Sequence, residues 1–214
     1  KLPLQWESEH EAFFREHGRN RRVFCASLAD VFDNEVDPAW RDDLFRLIAD
    51  TPHLTWQLLT KRIGNAAKMI FEAHADAVFN HSASAWPWAN VWLGATICNQ
   101  QEADRDIPKL LSVPAAKRFL SIEPMLGAID IQRAINRMPW QFSGVGAELH
   151  WVIAGGESGS CARPSHPDWF RSLAEQCRDA GVAFFMKQMG GHPDKRADMA
   201  QFPPELRVQE LPNG

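Results

Sequence analysis

The chain has 214 residues, of which 45% are hydrophobic and 23% are charged, and its formal net charge at pH 7 is −4. These values are typical of a globular chain long enough for one sizeable domain with its own core. No stretch reaches the roughly 18 consecutive apolar residues of a membrane span, so we expect no membrane partner.

Six short segments, apolar on both faces, recur along the chain. They are VFCASLAD (23–30), TWQLLTKR (55–62), NVWLGATI (90–97), KRFLSIEP (117–124), WVIAGGES (151–158) and AFFMKQMG (183–190). Such runs are typical of strands in a parallel sheet that is covered on both sides. Their starts lie 27 to 35 residues apart, the spacing of strand–helix–strand units of about 30 residues. We therefore predict an α/β fold of repeated strand–helix units.

Helix signals occupy the stretches between these segments. Asp37-Pro38 is an N-cap followed by proline at the first helical position, and His166-Pro167-Asp168 repeats that pattern. Two further helices are predicted over 64–79 and over 99–111, the latter broken by Pro108. The residues predicted to share an apolar face are Trp40, Leu44, Leu47 and Ile48 after the first signal, and Phe170, Leu173, Ala174 and Cys177 after the second.

Two architectures remain open for such a chain: an open doubly wound sheet, and a TIM-like barrel or partial barrel with parallel strands. No GxGxxG motif follows the first segment, which weakens the dinucleotide-binding version of the doubly wound sheet. Polar residues spread over many strand ends suit a barrel mouth. We predict a lead-in over 1–22, an α/β barrel domain over 23–190 and a C-terminal tail over 191–214.

Polar side chains end every predicted strand, and in both architectures ligands bind at the carboxyl ends of the strands. For any single residue a plain surface role remains open, because chains that leave a core become polar anyway. The full set favours a pocket. Its catalytic candidates are Asp30, Lys61, Glu123, Glu157 and Lys187, and its ligand-binding candidates are Asn99, Gln100, Gly155, Gly156, Arg163 and Gln188.

These residue types suit acid–base or electrostatic chemistry. The lysines could stabilise developing negative charge or act as bases, and the alternative is an ion pair with one of the acids. Gly155 and Gly156 remove side-chain bulk beside Glu157, which serves either contact with a ligand or close packing. Arg163 could clamp a carboxylate or phosphate group, or pair with a neighbouring acid.

The four cysteines, at positions 25, 98, 161 and 177, are far apart in the sequence. None has a close metal-ligand spacing, so the sequence predicts no metal site and a reduced, cytoplasmic setting. The densest basic cluster is RNRR (19–22), which could contact phosphates, although a solvated loop is the favoured interpretation. SASAWPWA (82–89) is predicted to be a loop.

Seven motifs resemble, in order, those of the phage gp thirty-seven/sixty-eight-like family, a domain of unknown function. They are SLADVFD, LLTKR, NVWLGATICNQ, RFLSIEPMLG, WVIAGGESGSCARPSHPDWFRSL, FFMKQMG and LRVQELP, and the match runs from about Val23 to Pro212. Members of that family begin with a cysteine-rich segment similar to the cluster-binding loop of radical S-adenosylmethionine (SAM) enzymes. The resemblance implies a partial TIM-like barrel that holds a 4Fe–4S cluster and SAM.

The three-cysteine motif of that segment does not occur in residues 1–214. Either the segment lies upstream of Lys1 or this member lacks the cluster, whose iron would then have no thiolate ligands. By the same resemblance, Gly155-Gly156-Glu157 could receive the amino group of SAM, and contact between Glu157 and the substrate is equally open.

Three functions follow as expectations. The first is a radical-SAM-like enzyme of phage or bacterial origin, acting on an unknown small-molecule or nucleic-acid substrate at the carboxyl ends of the strands. The second is a cluster-free enzyme that uses acid–base chemistry on a phosphorylated or sugar-like ligand. The third is a non-catalytic binding module that uses Trp86 and Trp88 to hold a protein or nucleic acid.

Overall fold

The computed structural model describes residues 1–25, 29–81, 84–136 and 148–212. Six parallel strands alternate with helices, which confirms the predicted α/β fold. The sheet order is β1-β2-β3-β4-β5-β6, without the reversal of order that marks a doubly wound sheet. The strands are β1 (Arg21–Cys25), β2 (Leu54–Thr60), β3 (Val91–Thr96), β4 (Lys117–Ile122), β5 (Trp151–Gly155) and β6 (Ala183–Gln188).

Seven α-helices are present in the described residues, and the four predicted ones are among them. Pro108 lies inside its helix rather than breaking it. Packing explains this difference, because Ile107, Leu110 and Leu111 beside it are buried and a buried apolar face supplies most of a helix's stability. The helices are α1 (Leu2–Ser8), α2 (His10–His17), α3 (Pro38–Ala49), α4 (Ile63–His81), α5 (Gln100–Ser112), α6 (Ile131–Ile135) and α7 (Pro167–Asp179).

The predicted N-caps are confirmed, but one predicted helix face is right only at Ile48. Asp37 accepts a hydrogen bond from the backbone N–H of Ala39 (3.0 Å), and His166 accepts one from that of Asp168 (3.2 Å). In α3 the predicted face included Trp40, which is 70% exposed. The buried residues are Ile48, which was predicted, together with Arg41 and Phe45, which were not. Arg41 is held there by donating to the Val31 carbonyl (3.0 Å).

The chain forms two compact units. The first contains Lys1–Gly94 and Val113–Lys117, and the second contains Ala95–Ser112 and the described residues from Arg118 onward. In the first unit α3 packs against α4, and in the second α7 packs against β6. All residues of β3 and β5 are buried, as expected for strands that are covered on both faces.

The C-terminal tail lies along β6 in the second unit. The backbone N–H of Met186 donates to the Val208 carbonyl (2.8 Å), and that of Glu210 donates to the Phe184 carbonyl (2.9 Å). Phe202 and Leu206 of the tail are buried. The tail therefore occupies an edge whose backbone groups would otherwise be open to pairing with another chain. None of the helices in the described ranges is both long and apolar enough to cross a bilayer.

Candidate functional site at the carboxyl ends of the strands

In the first unit, the carboxylate of Asp30 joins the loops that follow β1 and β2. Its Oδ1 accepts hydrogen bonds from the Phe32 backbone N–H (3.0 Å) and the Thr60 hydroxyl (2.6 Å). Its Oδ2 accepts one from the backbone N–H of Lys61 (2.8 Å). Asp30, which the sequence analysis names as a catalytic candidate, thus accepts hydrogen bonds from three donors. Such an arrangement fixes the geometry of the loops.

Lys61 is brought to Asp30 by its backbone and not by its ammonium group. The Lys61 side chain is exposed and forms no ion pair within the described part of the chain. The neighbouring Arg62 guanidinium pairs with Asp33 (3.0 Å). The alternative role that the sequence analysis gave Lys61, an ion pair with an acid, is therefore not observed among the described residues. The charge of Lys61 faces solvent.

In the second unit, Glu123, which follows β4 directly, forms an ion pair with Lys187, the last residue but one of β6. The Lys187 Nζ lies 3.1 Å from Oε1 and 3.2 Å from Oε2 of Glu123. The hydroxyl of buried Ser121 donates to the same Oε2 (3.1 Å). Glu123 is mostly covered, with 17% of its side chain exposed, whereas Lys187 keeps 54%. The carboxylate is therefore the fixed partner and the ammonium is open to solvent.

A shift of register in β6 places Lys187 at this point. Ala154 of β5 is opposite Met186, but the next residue, Gly155, is opposite Gln188. Lys187 is thus the extra residue, as in a β-bulge. Bulges occur next to active sites, where they redirect a side chain, and this one interrupts the alternation of β6 at the only lysine of the strand.

The two glycines at the end of β5 allow other protein groups to approach. A Cβ on Gly155 would lie 2.8 Å from Oε1 of Glu123, and one on Gly156 would lie 2.2 Å from the Met189 carbonyl oxygen. Gly156 also donates its N–H to the Gln188 carbonyl (3.0 Å). Close packing within the protein therefore accounts for both glycines, one of which makes room for the Glu123 carboxylate.

Glu157 and Arg163 form a second ion pair of this unit. Oε2 of Glu157 accepts from the Arg163 backbone N–H (2.8 Å) and from Nε (2.8 Å), and Oε1 accepts from a terminal guanidinium nitrogen (2.9 Å). These hydrogen bonds lower the pKa of Glu157 to about 2, because they favour the charged carboxylate. Of the alternatives for Arg163, pairing with a neighbouring acid is the one observed.

The three amide candidates act as structural links in the second unit. Asn99 caps α5, its Oδ1 accepting from the Glu102 backbone N–H (2.9 Å). Gln100 connects to α6, since its Oε1 accepts from the Asp130 backbone N–H (2.6 Å). Gln188 donates to the Gly156 carbonyl (2.8 Å). Each amide thus makes at least one hydrogen bond to a backbone group, and its role as a ligand contact stays a prediction.

Sequence reasoning missed Ser121, which binds the Glu123 carboxylate. A signal was present, since Ser121 precedes Glu123 by two residues and residues spaced by two along a strand point to the same face. It also missed the extra residue at Lys187. No periodicity in AFFMKQ distinguishes a bulged strand from a regular one.

The cysteine donors do not suit a 4Fe–4S cluster. Cys177 is buried on α7, Cys25 is half-buried on β1 and Cys161 is exposed in the loop after β5. Burial raises the pKa of Cys177 to about 12, which disfavours the thiolate that binds iron. Within the described ranges, no group of three His, Cys, Asp or Glu side chains is placed to hold a metal ion.

Comparison with known proteins gives one match. A family model described as "Protein of unknown function (DUF5131)" matches residues 1–210. No curated protein and no solved structure matches the chain.

Proposed function

We propose that this chain, which belongs to the DUF5131 family of proteins of unknown function, is an enzyme whose reacting groups are Glu123 and Lys187. The observation that carries the proposal is the extra residue of β6, which directs the Lys187 ammonium to the Glu123 carboxylate at the carboxyl ends of β4 and β6. Parallel α/β proteins bind their ligands at those strand ends.

The geometry suits proton transfer or electrostatic stabilisation at a ligand oxygen. The exposed Lys187 ammonium has donors left over after binding Glu123, because an ammonium group carries three. A ligand oxygen that gains negative charge would accept from it, while Ser121 and Gly155 keep the carboxylate in position. Phosphorylated and sugar-like compounds present such oxygens, so we infer a ligand of that class.

A thermal-shift screen with sugar phosphates and free sugars tests the proposal. We expect a member of the panel to raise the melting temperature of the wild type, since a ligand that binds only the folded state stabilises it. That shift should vanish in Lys187→Met and Glu123→Gln. It should persist in Asp179→Asn, which alters an exposed ion pair with Arg178 at the end of α7. A ligand that stabilises Lys187→Met as well as the wild type would place the site elsewhere.

Radical-SAM-like chemistry is the second candidate, supported by the resemblance of the ordered motifs to the phage gp thirty-seven/sixty-eight-like family. The described residues fit neither group that it requires. They provide no three-thiolate set. Both oxygens of Glu157 accept hydrogen bonds from the Arg163 guanidinium. That positive charge occupies the carboxylate and would repel the ammonium group of SAM. We therefore derive no step through the cluster or SAM.

Anaerobic reconstitution of the full-length protein with iron and sulfide tests this second candidate. Iron–sulfur absorption in the visible spectrum, together with SAM binding by calorimetry, would favour it. Absence of both would leave the cluster-free enzyme.

The binding-module alternative loses support at its tryptophans. Trp88 is 5% exposed and donates its indole N–H to the Ser84 carbonyl (2.8 Å). The half-buried Trp86 donates to the Pro114 carbonyl (2.7 Å). Rings held in this way pack inside the first unit and offer little surface to a partner.

A further inference from the structure

Positively charged side chains gather on one buried indole at the amino ends of the strands of the first unit. The Arg22 Cζ lies 5.3 Å from the centroid of the Trp92 ring, and the Lys117 Nζ lies 5.1 Å from the same centroid. Arg22 and Trp92 are the second residues of β1 and β3, and Lys117 is the first residue of β4. Their spacing in the sequence hides this cluster, because Lys117 is 95 residues after Arg22.

Two more arginines, close to Arg22 in the sequence, contact other aromatic rings of the first unit. The Arg21 guanidinium lies 4.2 Å from the Phe13 ring centroid and 5.3 Å from that of Trp6, and the Arg19 guanidinium lies 5.5 Å from Phe13. Cation–π contact of this kind holds a guanidinium in place without neutralising it. The rings therefore order the cations and leave their charge available.

No carboxylate in the described part of the chain pairs with these cations. Within the described residues, none of the four cations forms an ion pair. Burial, and after it the repulsion of Arg19, lowers the pKa of Arg22, and burial followed by the repulsion of Arg22 lowers the pKa of Lys117. In a chain of net charge −4, like charges held together without an acid lack their counterion.

We propose that Arg19, Arg22 and Lys117 form a binding site for the phosphate group of a ligand. Guanidinium groups bind phosphate oxygens through paired hydrogen bonds, and an ammonium adds a point charge. Arg19 is exposed and the other two are half-buried, so the protein encloses none of the three residues completely. Trp92 is 4% exposed and serves as the floor of the site rather than as a stacking platform for bases.

This site does not involve Glu123 or Lys187, and its test is independent of the proposed enzyme function. Within the first unit it lies at the amino ends of the strands, whereas Asp30 and Lys61 follow the carboxyl ends of β1 and β2. A phosphate group reaches such a site either on a small compound or in the backbone of a nucleic acid. The two sources differ in size and salt dependence, so experiment separates them.

The test uses the full chain, inorganic pyrophosphate and a fluorescein-labelled oligothymidine at low salt. The variant is Arg22→Gln combined with Lys117→Gln, since glutamine keeps part of the aliphatic stem over Trp92. We expect calorimetry or fluorescence anisotropy to show binding that weakens about tenfold or more in the double variant. Lys68→Gln combined with Arg178→Gln removes the same charge at exposed positions and should change affinity by less than about twofold.

The outcomes separate cleanly. Binding of oligothymidine that depends on the cluster and falls steeply with salt identifies a nucleic-acid backbone. Binding of pyrophosphate alone identifies a small phosphorylated ligand. The proposal is overturned if neither probe binds, if the double variant binds as well as the wild type, or if the control pair loses as much affinity. Circular dichroism melting of both double variants ensures that a loss of binding is not a loss of folding.

Discussion

In the sequence, Glu157 is an acid that follows two glycines, and the structure shows that its partner is Arg163. Three N–H groups of Arg163 donate to it. The sequence offered this pair only as one alternative for Arg163, because a loop of five residues between the two does not determine which way either side chain turns. The sequence therefore indicated Glu157 as a residue of interest, but it did not determine which group the carboxylate binds.

We predict that Glu157 titrates at about 2 in the folded protein, below the ordinary glutamate value of about 4.3. Because the folded pKa is lowered, the pair's contribution to stability is present above the unfolded pKa and is lost as the pH falls toward the folded value. Arg163→Gln replaces the guanidinium by a shorter, neutral amide and so removes the charged donors, and the pKa of Glu157 should rise toward about 4.3. NMR of the side-chain carboxyl carbons of isotope-labelled protein as a function of pH measures the pKa of Glu157, and Arg178→Gln is the control.

Two results would contradict this account. One is a wild-type Glu157 that titrates near its ordinary value, and the other is a pKa that Arg163→Gln leaves unchanged. A large change in stability is not expected in the variant, because solvent screens a pair whose side chains keep 27% and 60% of their exposure.

At the scale of elements, strands were easier to predict than helices. Each of the six strands overlaps a predicted apolar run, because strands that are covered on both faces need apolar residues. The agreement is poorest at β1, which begins with Arg21 and Arg22, has no buried residue and shares only residues 23–25 with the predicted run over 23–30. The helices α1 and α2 were missed because neither has a buried residue, so no apolar periodicity marks them. The helix α6 has five residues, too few for a period of 3.6 to show.

The end of β5 yields a prediction for three glycine variants. Gly155→Ala should cost about 1 kcal/mol, because its Cβ meets Oε1 of Glu123 at 2.8 Å and a side chain can move. Gly156→Ala should cost about 3 kcal/mol or more, because its Cβ would lie 2.2 Å from the Met189 backbone oxygen. Gly127→Ala meets nothing within 4 Å and should stabilise by about 0.4–1 kcal/mol.

Urea denaturation of the three variants measures these differences. Gly155→Ala should also release Lys187 from Glu123, which a raised sensitivity of Lys187 to reductive methylation would report. Equal costs for Gly155→Ala and Gly156→Ala would show that the Glu123 side chain is as immobile as backbone. A destabilising Gly127→Ala would show that glycine is needed there for its backbone conformation.

For the whole molecule, the sequence indicated which residues follow the strands but not how each is used. Asp30, Asn99 and Gln100 were predicted around a ligand, and the structure shows that each of them binds backbone groups of the protein. The backbone groups of loops after parallel strands need hydrogen-bond partners, and side chains often supply them. Which side chains do so depends on the geometry of each turn, which the residue types do not reveal. Glu123 and Lys187 remain as the pair with an ammonium open to solvent. Polarity at strand ends serves structure as well as chemistry, so the residue types alone do not separate the two roles.

Burial along the chain predicts a gradient of stability that hydrogen exchange can measure. The strands β3 and β5 are buried at every residue, and β4 is buried at all but its first. Their amides should therefore exchange only when the whole protein unfolds, which has a free energy of about 5–15 kcal/mol. Helices α1 and α2 have no buried residue and should exchange through local opening at much lower cost. Strand β1, which pairs with β2 and is half-buried over most of its length, should be intermediate. Mass spectrometry of peptides from each element gives the order directly, and α1–α2 amides as slow as those of β4 would mean that these helices are covered in solution by a partner or a second copy of the chain.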